Sequence, residues 1–386
     1  MRISVKISKV TISMLSGKRR ALFWSALSIV ILTGIILLYS GSVHRTPLGA
    51  GNKNQYVKAR IVSVKEDYTE PDEEMHWGTQ LVEAKILTGE HTGEVCELSN
   101  NNSYLTGAYC QVGTNVIVLI GEGEGGLTGT VYNYDRNVGI WTLIALFIVV
   151  LCLIGGKKGI ATSVALIFTF ICILCLYIPM LYQGVSPFIA AVLSSVLILT
   201  VSILLIDGWT KKAICAMLGT VIGVITAGGI AAFFGNICKV SGYNIADAET
   251  MIHIANHSQL QISGVLFSGI LLASLGAVMD VSVSIAAAIN EIHYNNPEFD
   301  WKKLYQSGMR VGHDMMGTMS NTLILAFVGN SVNTLLIVYA YNMSYFQIMS
   351  QYSIAIEILR GIAGTLGIIL TVPIESLIAA FILGEK

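Results

Sequence analysis

Apolar residues follow two rhythms along this chain. Before residue 41 and after residue 136 they come in long runs, and between those points they alternate with polar ones. The long runs reach the roughly 20 residues that span the hydrocarbon of a bilayer. They predict spans at about Ala21–Ser40, Val138–Gly155, Ile160–Met180, Ser186–Ile206, Ile214–Phe234, Gly264–Glu291, Val311–Tyr341 and Gly361–Leu383, about eight in all. The seventh is too long for one straight helix and carries a polar break, GNSVN, at 329–333. The eighth contains Pro373, where a bend is expected. Period-2 alternation marks YVKARIVSV (56–64), QLVEAKIL (80–87), GEVCEL (93–98), NVIVLIG (115–121) and GTVYNY (129–134) as strands. About five strands within ~90 residues predict a small β-barrel or sandwich.

The expected fold is therefore an α-helical polytopic membrane protein with a small extracytoplasmic β domain inserted between spans 1 and 2. Residues 1–40 form a basic N-terminus and uncleaved anchor, 41–136 the β domain, and 137–386 the helical bundle. Composition agrees: 54% of the 386 residues are hydrophobic and 12% charged, against about 25% charged in soluble domains. The basic segments 1–20, 156–158, 211–212, 302–310 and Lys386 fall on one side of eight spans, and Arg360 on the other. The positive-inside rule then makes both termini cytoplasmic.

Small and polar residues share single faces of two consecutive spans. On a helix, Gly269, Ala273, Gly276, Ala277, Asp280, Ser284, Ala287 and Glu291 form one stripe. Asp314, Gly317, Thr318 and Asn321 form another on the next span. Small residues let helices approach closely in a membrane, and a carboxylate at that depth must face protein or water. The two stripes are expected to pack together, with Asp280 in reach of Thr318 or Asn321. Asp280 is the leading candidate for a proton relay or an ion pathway, and the bland reading is a carboxyl that hydrogen-bonds its neighbour. Asp314 sits at a helix start, where capping explains it equally well. Glu375 follows Pro373 and is a second membrane carboxylate or an interfacial one. Gly219, Gly223, Gly228 and Gly229 predict close contacts for the fifth span.

Other features carry less. Glu249, His253 and His257 lie at i, i+4 and i+8 of a short amphipathic segment, a spacing a transition metal can use. No fourth ligand accompanies them, so a solvated face is preferred and no metal or cofactor is expected. The carboxylate run EDYTEPDEE (66–74) reads as a solvated loop. The seven cysteines form no zinc pattern. Cys96 and Cys110, both in the external segment, leave a disulfide open. No P-loop, His-Glu-x-x-His or Gly-x-Ser-x-Gly motif points to an enzyme, and no basic patch points to nucleic acid. The expected partners are the lipid bilayer and an unidentified substrate or protein, with oligomerisation left open.

GAVMDVSVSIAAAINEI (276–292), HDMMGTMSNTLILAFVG (313–329) and VPIES (372–376) resemble the YibE/F family of bacterial multi-pass membrane proteins. The resemblance implies a bacterial plasma-membrane protein, and a hydroxyl residue is usual there where Glu375 stands. The order of Gly276-Ala-Val-Met-Asp280, the basic segment 301–314 and the hydroxyl-rich span after it is also similar to that in resistance–nodulation–division transporters and the SecD/SecF export components. That likeness implies proton carriage by the aspartate. The expected function is a proton-coupled secondary transporter or export factor. The alternative is a non-transporting scaffold or sensor whose β domain binds a partner.

Overall fold

A computed structural model describes residues 29–43, 55–71, 76–103, 107–123, 126–244 and 248–384. Contacts divide the chain into two units, Thr46–Leu153 and Met1–Arg45 with Ile154–Lys386. Each has a hydrophobic core of its own. The basic residues of 1–20 and the terminal Lys386 lie outside the described residues.

The smaller unit holds β1 (Gln55–Pro71), β2 (His76–Ile86), β3 (Val95–Asn102), β4 (Asn115–Gly123) and β5 (Gly126–Tyr134). They close into a barrel in the order β1-β2-β3-β5-β4. All pairs are antiparallel except β3 with β5. Alternation does the work the sequence assigns to it. Ala59, Ile61, Val82, Ala84, Ile86, Leu98, Val116 and Val118 point inward, each at most 1% exposed. Bulges between Ile61 and Ser63 and between Val64 and Glu66 bend β1, so that its first residues pair β4 and the rest pair β2. The carboxylate run read as a loop is strand up to Pro71, with Glu66–Pro71 pairing Leu81–His76; residues 72–75 lie outside the described ones. Backbone pairing needs nothing of side chains that point outward, so a charged run can form a strand.

One part of the barrel interior is polar. Gln80 and Asn100 are buried. Gln80 Oε1 accepts from the Cys110 amide and from Asn100 Nδ2, both at 2.9 Å. Gln80 Nε2 donates to Cys110 O at 3.2 Å and to Asp67 Oδ2 at 3.0 Å, and Asn100 Nδ2 also donates to Ala108 O at 2.5 Å. These amides fasten the segment Gly107–Cys110 to the inner wall. Gly107 has φ +87°, and a Cβ there would lie 2.4 Å from Asn101 O, so only glycine starts the segment. Cys96 and Cys110 are free, buried thiols, which closes the disulfide alternative. Burial pushes the Cys110 thiol up to about 12, and a thiol held neutral reacts slowly.

The described helices are α1 (Ile29–Ser42), α2 (Asn137–Cys172), α3 (Ile178–Tyr182), α4 (Pro187–Asp207), α5 (Lys211–Ile237), α6 (Ala248–Asn256), α7 (Ile262–Asn295), α8 (Trp301–Asn330), α9 (Val332–Ala340), α10 (Tyr345–Ser350) and α11 (Tyr352–Gly384), all in the larger unit except that the boundary between the units falls within α2, after Leu153. A π-helical turn at Ile173–Tyr177 joins α2 to α3. Among the described residues, five helices are long and apolar enough to cross a membrane, and up to six if α8 and α9, bent by 61°, make one span. The bend falls at Ser331, inside the polar break. The described helices reach eight spans neither by length nor by composition. The second and third expected spans form one run of 46 residues, Asn137–Tyr182. At 46 residues the run holds over twice the roughly 20 that one span needs. Its backbone leaves the helical region at Gly156 (φ 54°, ψ −129°), beside Lys157 and Lys158, where the sequence separates two spans. Two other boundaries move. α8 starts at Trp301, capped by Asp300, whose carboxylate accepts from the Trp301 amide. α11 starts at Tyr352 and runs as one helix through Pro373.

Inside this unit α5, α7 and α11 pack against one another. α8 lies on α7 and α11, and α4 lies on α5 and α7.

Gln80→Leu should leave the Cys110 N–H unpaired and take one of its partners from Asn100 Nδ2, which keeps Ala108 O, at a cost of about 1–3 kcal/mol for the unpaired group. Hydrogen exchange by mass spectrometry should show Ala108–Cys110 losing protection in the variant. Protection equal to the wild type would refute the fastening role of Gln80.

Candidate functional site

The interface of α5 with α7 and α11 is built in layers. Gly367 of α11 meets Ala227 of α5. One turn on, Gly223 of α5 meets Thr371 of α11 and Val278 of α7. One further turn brings Gly219 against Glu375. Residues four apart share a helix face, so Gly219–Gly223–Ala227, Thr371–Glu375 and Val278–Ser282 are matching rows. Gly219 is required by proximity: a Cβ there would stand 1.6 Å from Glu375 Oε2 and 2.8 Å from its Cδ. A bare α5 backbone is what lets a glutamate side chain fit between helices.

Glu375 is fully buried, and neither carboxyl oxygen has a hydrogen-bond partner among the described residues. The hydroxyls of Ser282 and Ser376 share that condition. Ser376 faces Gly308 of α8, where a Cβ would lie 2.9 Å from its Oγ. The neighbouring Thr220 and Thr371 differ, since each donates to a carbonyl of its own helix, Ala216 O at 2.6 Å and Gly367 O at 2.7 Å. Buried polar atoms in proteins are almost always bonded, so the Glu375 carboxyl facing α5, the Ser376 hydroxyl facing α8 and the Ser282 hydroxyl on α7 each have unused capacity to hold a proton, a water or an ion. Carboxyl and hydroxyl oxygens suit a proton or a hard cation rather than a soft metal.

Asp280 lies elsewhere. The buried face of α7 is Ser274, Leu275, Val278, Val281, Ser282, Ile285, Ala286 and Ile289. Gly269, Ala273, Gly276, Asp280 and Glu291 are exposed, with Ala277, Ser284 and Ala287 half-buried. A Cβ on Gly269 or Gly276 would meet nothing within 4 Å. α7 and α8 do pack, but through their other faces: Gly308 and Gly312 of α8 sit against Ile289, Ile285 and Val372. The large branched side chains remove more apolar area from solvent than the small stripe can, and that decides which face turns inward. Asp314, Thr318 and Asn321 are likewise exposed on α8, and Thr318 Oγ1 donates to Met315 O at 2.9 Å. No hydrogen bond or ion pair joins Asp280 to Thr318 or Asn321 among the described residues. The expected stripe-on-stripe packing is thereby corrected; the two stripes lie on open faces of adjoining helices.

Glu249 and His253 are on α6, with His257 just beyond it. The His253 and His257 rings are 4.7 Å apart, and His257 Nδ1 lies 2.9 Å from His253 O. Among the described residues no three His, Cys, Asp or Glu side chains form a metal-binding group.

The sequence reading did not single out Ser282, Ser376 and Gly308. The signal for them was available as spacing: Thr371–Glu375 and Gly219–Gly223 are both i, i+4 pairs, and a glycine pair on one helix invites a larger pair on another.

Gly219→Ala should force Glu375 aside and destabilise the bundle by about 1–3 kcal/mol. Glu375→Ala in the same chain should recover most of that loss, because the colliding atoms are gone. Thermal unfolding of the two single variants and the double variant in detergent measures the coupling. Additive effects would show that the two residues do not meet.

The family described as YibE/F-like protein matches residues 143–385. No curated protein and no solved structure matches the chain, so the likeness to the SecD/SecF components and the resistance–nodulation–division transporters has no support beyond motif order. The family match takes in α4 to α11, Asp280 and Glu375 included, and covers well over half the sequence; this chain belongs to the YibE/F-like family.

Proposed function

We propose that the protein is a proton-coupled secondary transporter or export factor that uses an intramembrane carboxylate, with Glu375 as the group that takes and releases the proton. The observation that carries this reading is the buried Glu375 carboxyl with both oxygens unbonded. A carboxyl kept for structure would be held by donors. One kept for proton exchange needs neighbours that can hold water or a hydronium without locking the group in one state. Ser282, one turn beyond Val278 on the row that faces α5, and Ser376, next in sequence and turned to α8, are the nearest such hydroxyls in this reading, both unbonded among the described residues. Gly219 adds room at the carboxyl and no side chain to compete for it.

Asp280 takes a second place in the pathway. It stands on the outer face of α7, and α8 presents Asp314, Thr318 and Asn321 on its own open side. A carboxylate at membrane depth costs at least about 2.5–3.5 kcal/mol when it faces lipid, so this side is a water-filled or partner-covered approach. Ser284 lies one turn from Asp280 on the same row. In this reading eight spans place both termini in the cytoplasm of a bacterial cell and the barrel outside it, where it handles cargo. No covalent chemistry, metal or cofactor enters.

The purified protein in liposomes with an internal pH-sensitive dye should pass protons after an acid jump. Glu375→Gln keeps size and removes titration, and it should cut the rate by roughly a hundredfold. Asp280→Asn should slow it less. Wild-type rates equal to those of empty liposomes, or a Glu375→Gln variant as fast as the wild type, would end the relay. The scaffold or sensor reading would then stand in its place.

A further inference from the structure

At the end of α5 the chain makes a helix stop in which a lysine occupies the position glycine usually takes. The Val240 amide donates to Gly235 O at 2.9 Å, and the Lys239 amide donates to Asn236 O at 3.2 Å. These are the two bonds of a Schellman motif. Its left-handed residue is Lys239, with φ +52°, one of two non-glycine residues with positive φ among those described. Glycine accepts that conformation freely and lysine does not, so the sequence tolerates strain to keep an ammonium at this place. Among the described residues Lys239 has no acidic partner, whereas Arg360 on α11 is paired with Glu357 at 2.9 Å.

Lys239 lines a cavity of about 560 Å³ between α5, α10 and α11, within the usual size range of ligand sites. The cavity is divided by polarity. Lys239, Ser350 and Tyr352 stand together at the helix ends. Ile230, Ile362 and Leu366 line it deeper in the spans. Leu366 lies about 21 Å along α11 from Tyr352 at 1.5 Å per residue, more than the roughly 15 Å of one hydrocarbon leaflet. A cation at the level of the helix ends over an apolar trough of leaflet length has the shape and charge of one class of ligand. We infer that this groove is a binding site for an anionic phospholipid, its phosphate paired with Lys239 and one acyl chain lying along α5 and α11. A neutral lipid fills the trough as well but leaves the ammonium without a counter-ion, so the site selects by headgroup. The inference is independent of proton coupling at Glu375, which lies further along α11.

The test is native mass spectrometry of the full-length protein in detergent, titrated with phosphatidylglycerol or phosphatidylcholine of identical acyl chains. Phosphatidylglycerol should bind about fivefold more tightly, the worth of one basic contact near a membrane surface. Lys239→Gly suits the left-handed backbone and so keeps the fold; it should erase the preference, while Lys239→Arg should keep it. Ile362→Trp fills the trough and should weaken both lipids, and glycerol phosphate, a headgroup without tails, should not compete. Equal binding of the two lipids by the wild type, a preference that survives Lys239→Gly, unchanged lipid binding in Ile362→Trp, or competition by glycerol phosphate would each overturn the assignment.

Discussion

A carboxyl group buried among apolar helices needs a partner or stays neutral, and α5, α7 and α11 close around one, Glu375, that has no hydrogen-bond partner among the described residues. The closure depends on Gly219. With any side chain at that position, Glu375 has no room, and the three helices separate or the glutamate turns away. The same rule of small against large repeats along the interface, where Gly223 admits Thr371 and Val278 and Gly228 admits Leu271 and Phe188. Lipid tails are as apolar as leucine, so helices in a membrane are joined by close packing rather than by hydrophobic burial. Glycine rows on α5 supply that closeness and bring a polar group to the centre of the bundle.

The outer side of the bundle follows the opposite logic. α7 turns Val278, Val281, Ile285 and Ile289 inward and leaves Asp280 exposed, on a row whose Gly269 and Gly276 meet nothing among the described residues. α8 buries Leu304, Gly308 and Gly312 near its start, and beyond them packs through half-buried side chains such as Leu323 against Gly364. It then bends away at Ser331 into α9. One carboxyl, Glu375, is thus enclosed and the other, Asp280, exposed, on helices that touch.

Much of this was legible in the sequence, for physical reasons that differ by region. The five strands were, because a barrel interior lined mainly by apolar side chains forces alternation; Glu66–Pro71, rich in carboxylates, and Ser99–Asn102, a polar run, hid their strand character. The break in the seventh span was, because Gly329, Asn330 and Ser331 weaken a helix. The helix that carries Asp280 was found, yet its orientation was misjudged. A stripe of small and polar residues signals a close approach but does not say to what, and within one chain the larger apolar face won. Glu375 was named beside Asp280 and ranked below it. Its environment comes from residues some 90 and 150 positions earlier, Ser282 and Gly219, and a pairing between distant helices leaves no local pattern to read.

The central claim is that Glu375 exchanges a proton from inside the bundle, and infrared difference spectroscopy across a pH step observes that event at the carboxyl itself. With the protein in liposomes, the account predicts a carbonyl band of a protonated carboxylic acid that weakens as pH is raised, shifts in deuterated water, and is missing from Glu375→Gln but present in Asp280→Asn. A difference spectrum in the carboxylic acid region that Glu375→Gln leaves unchanged would contradict it.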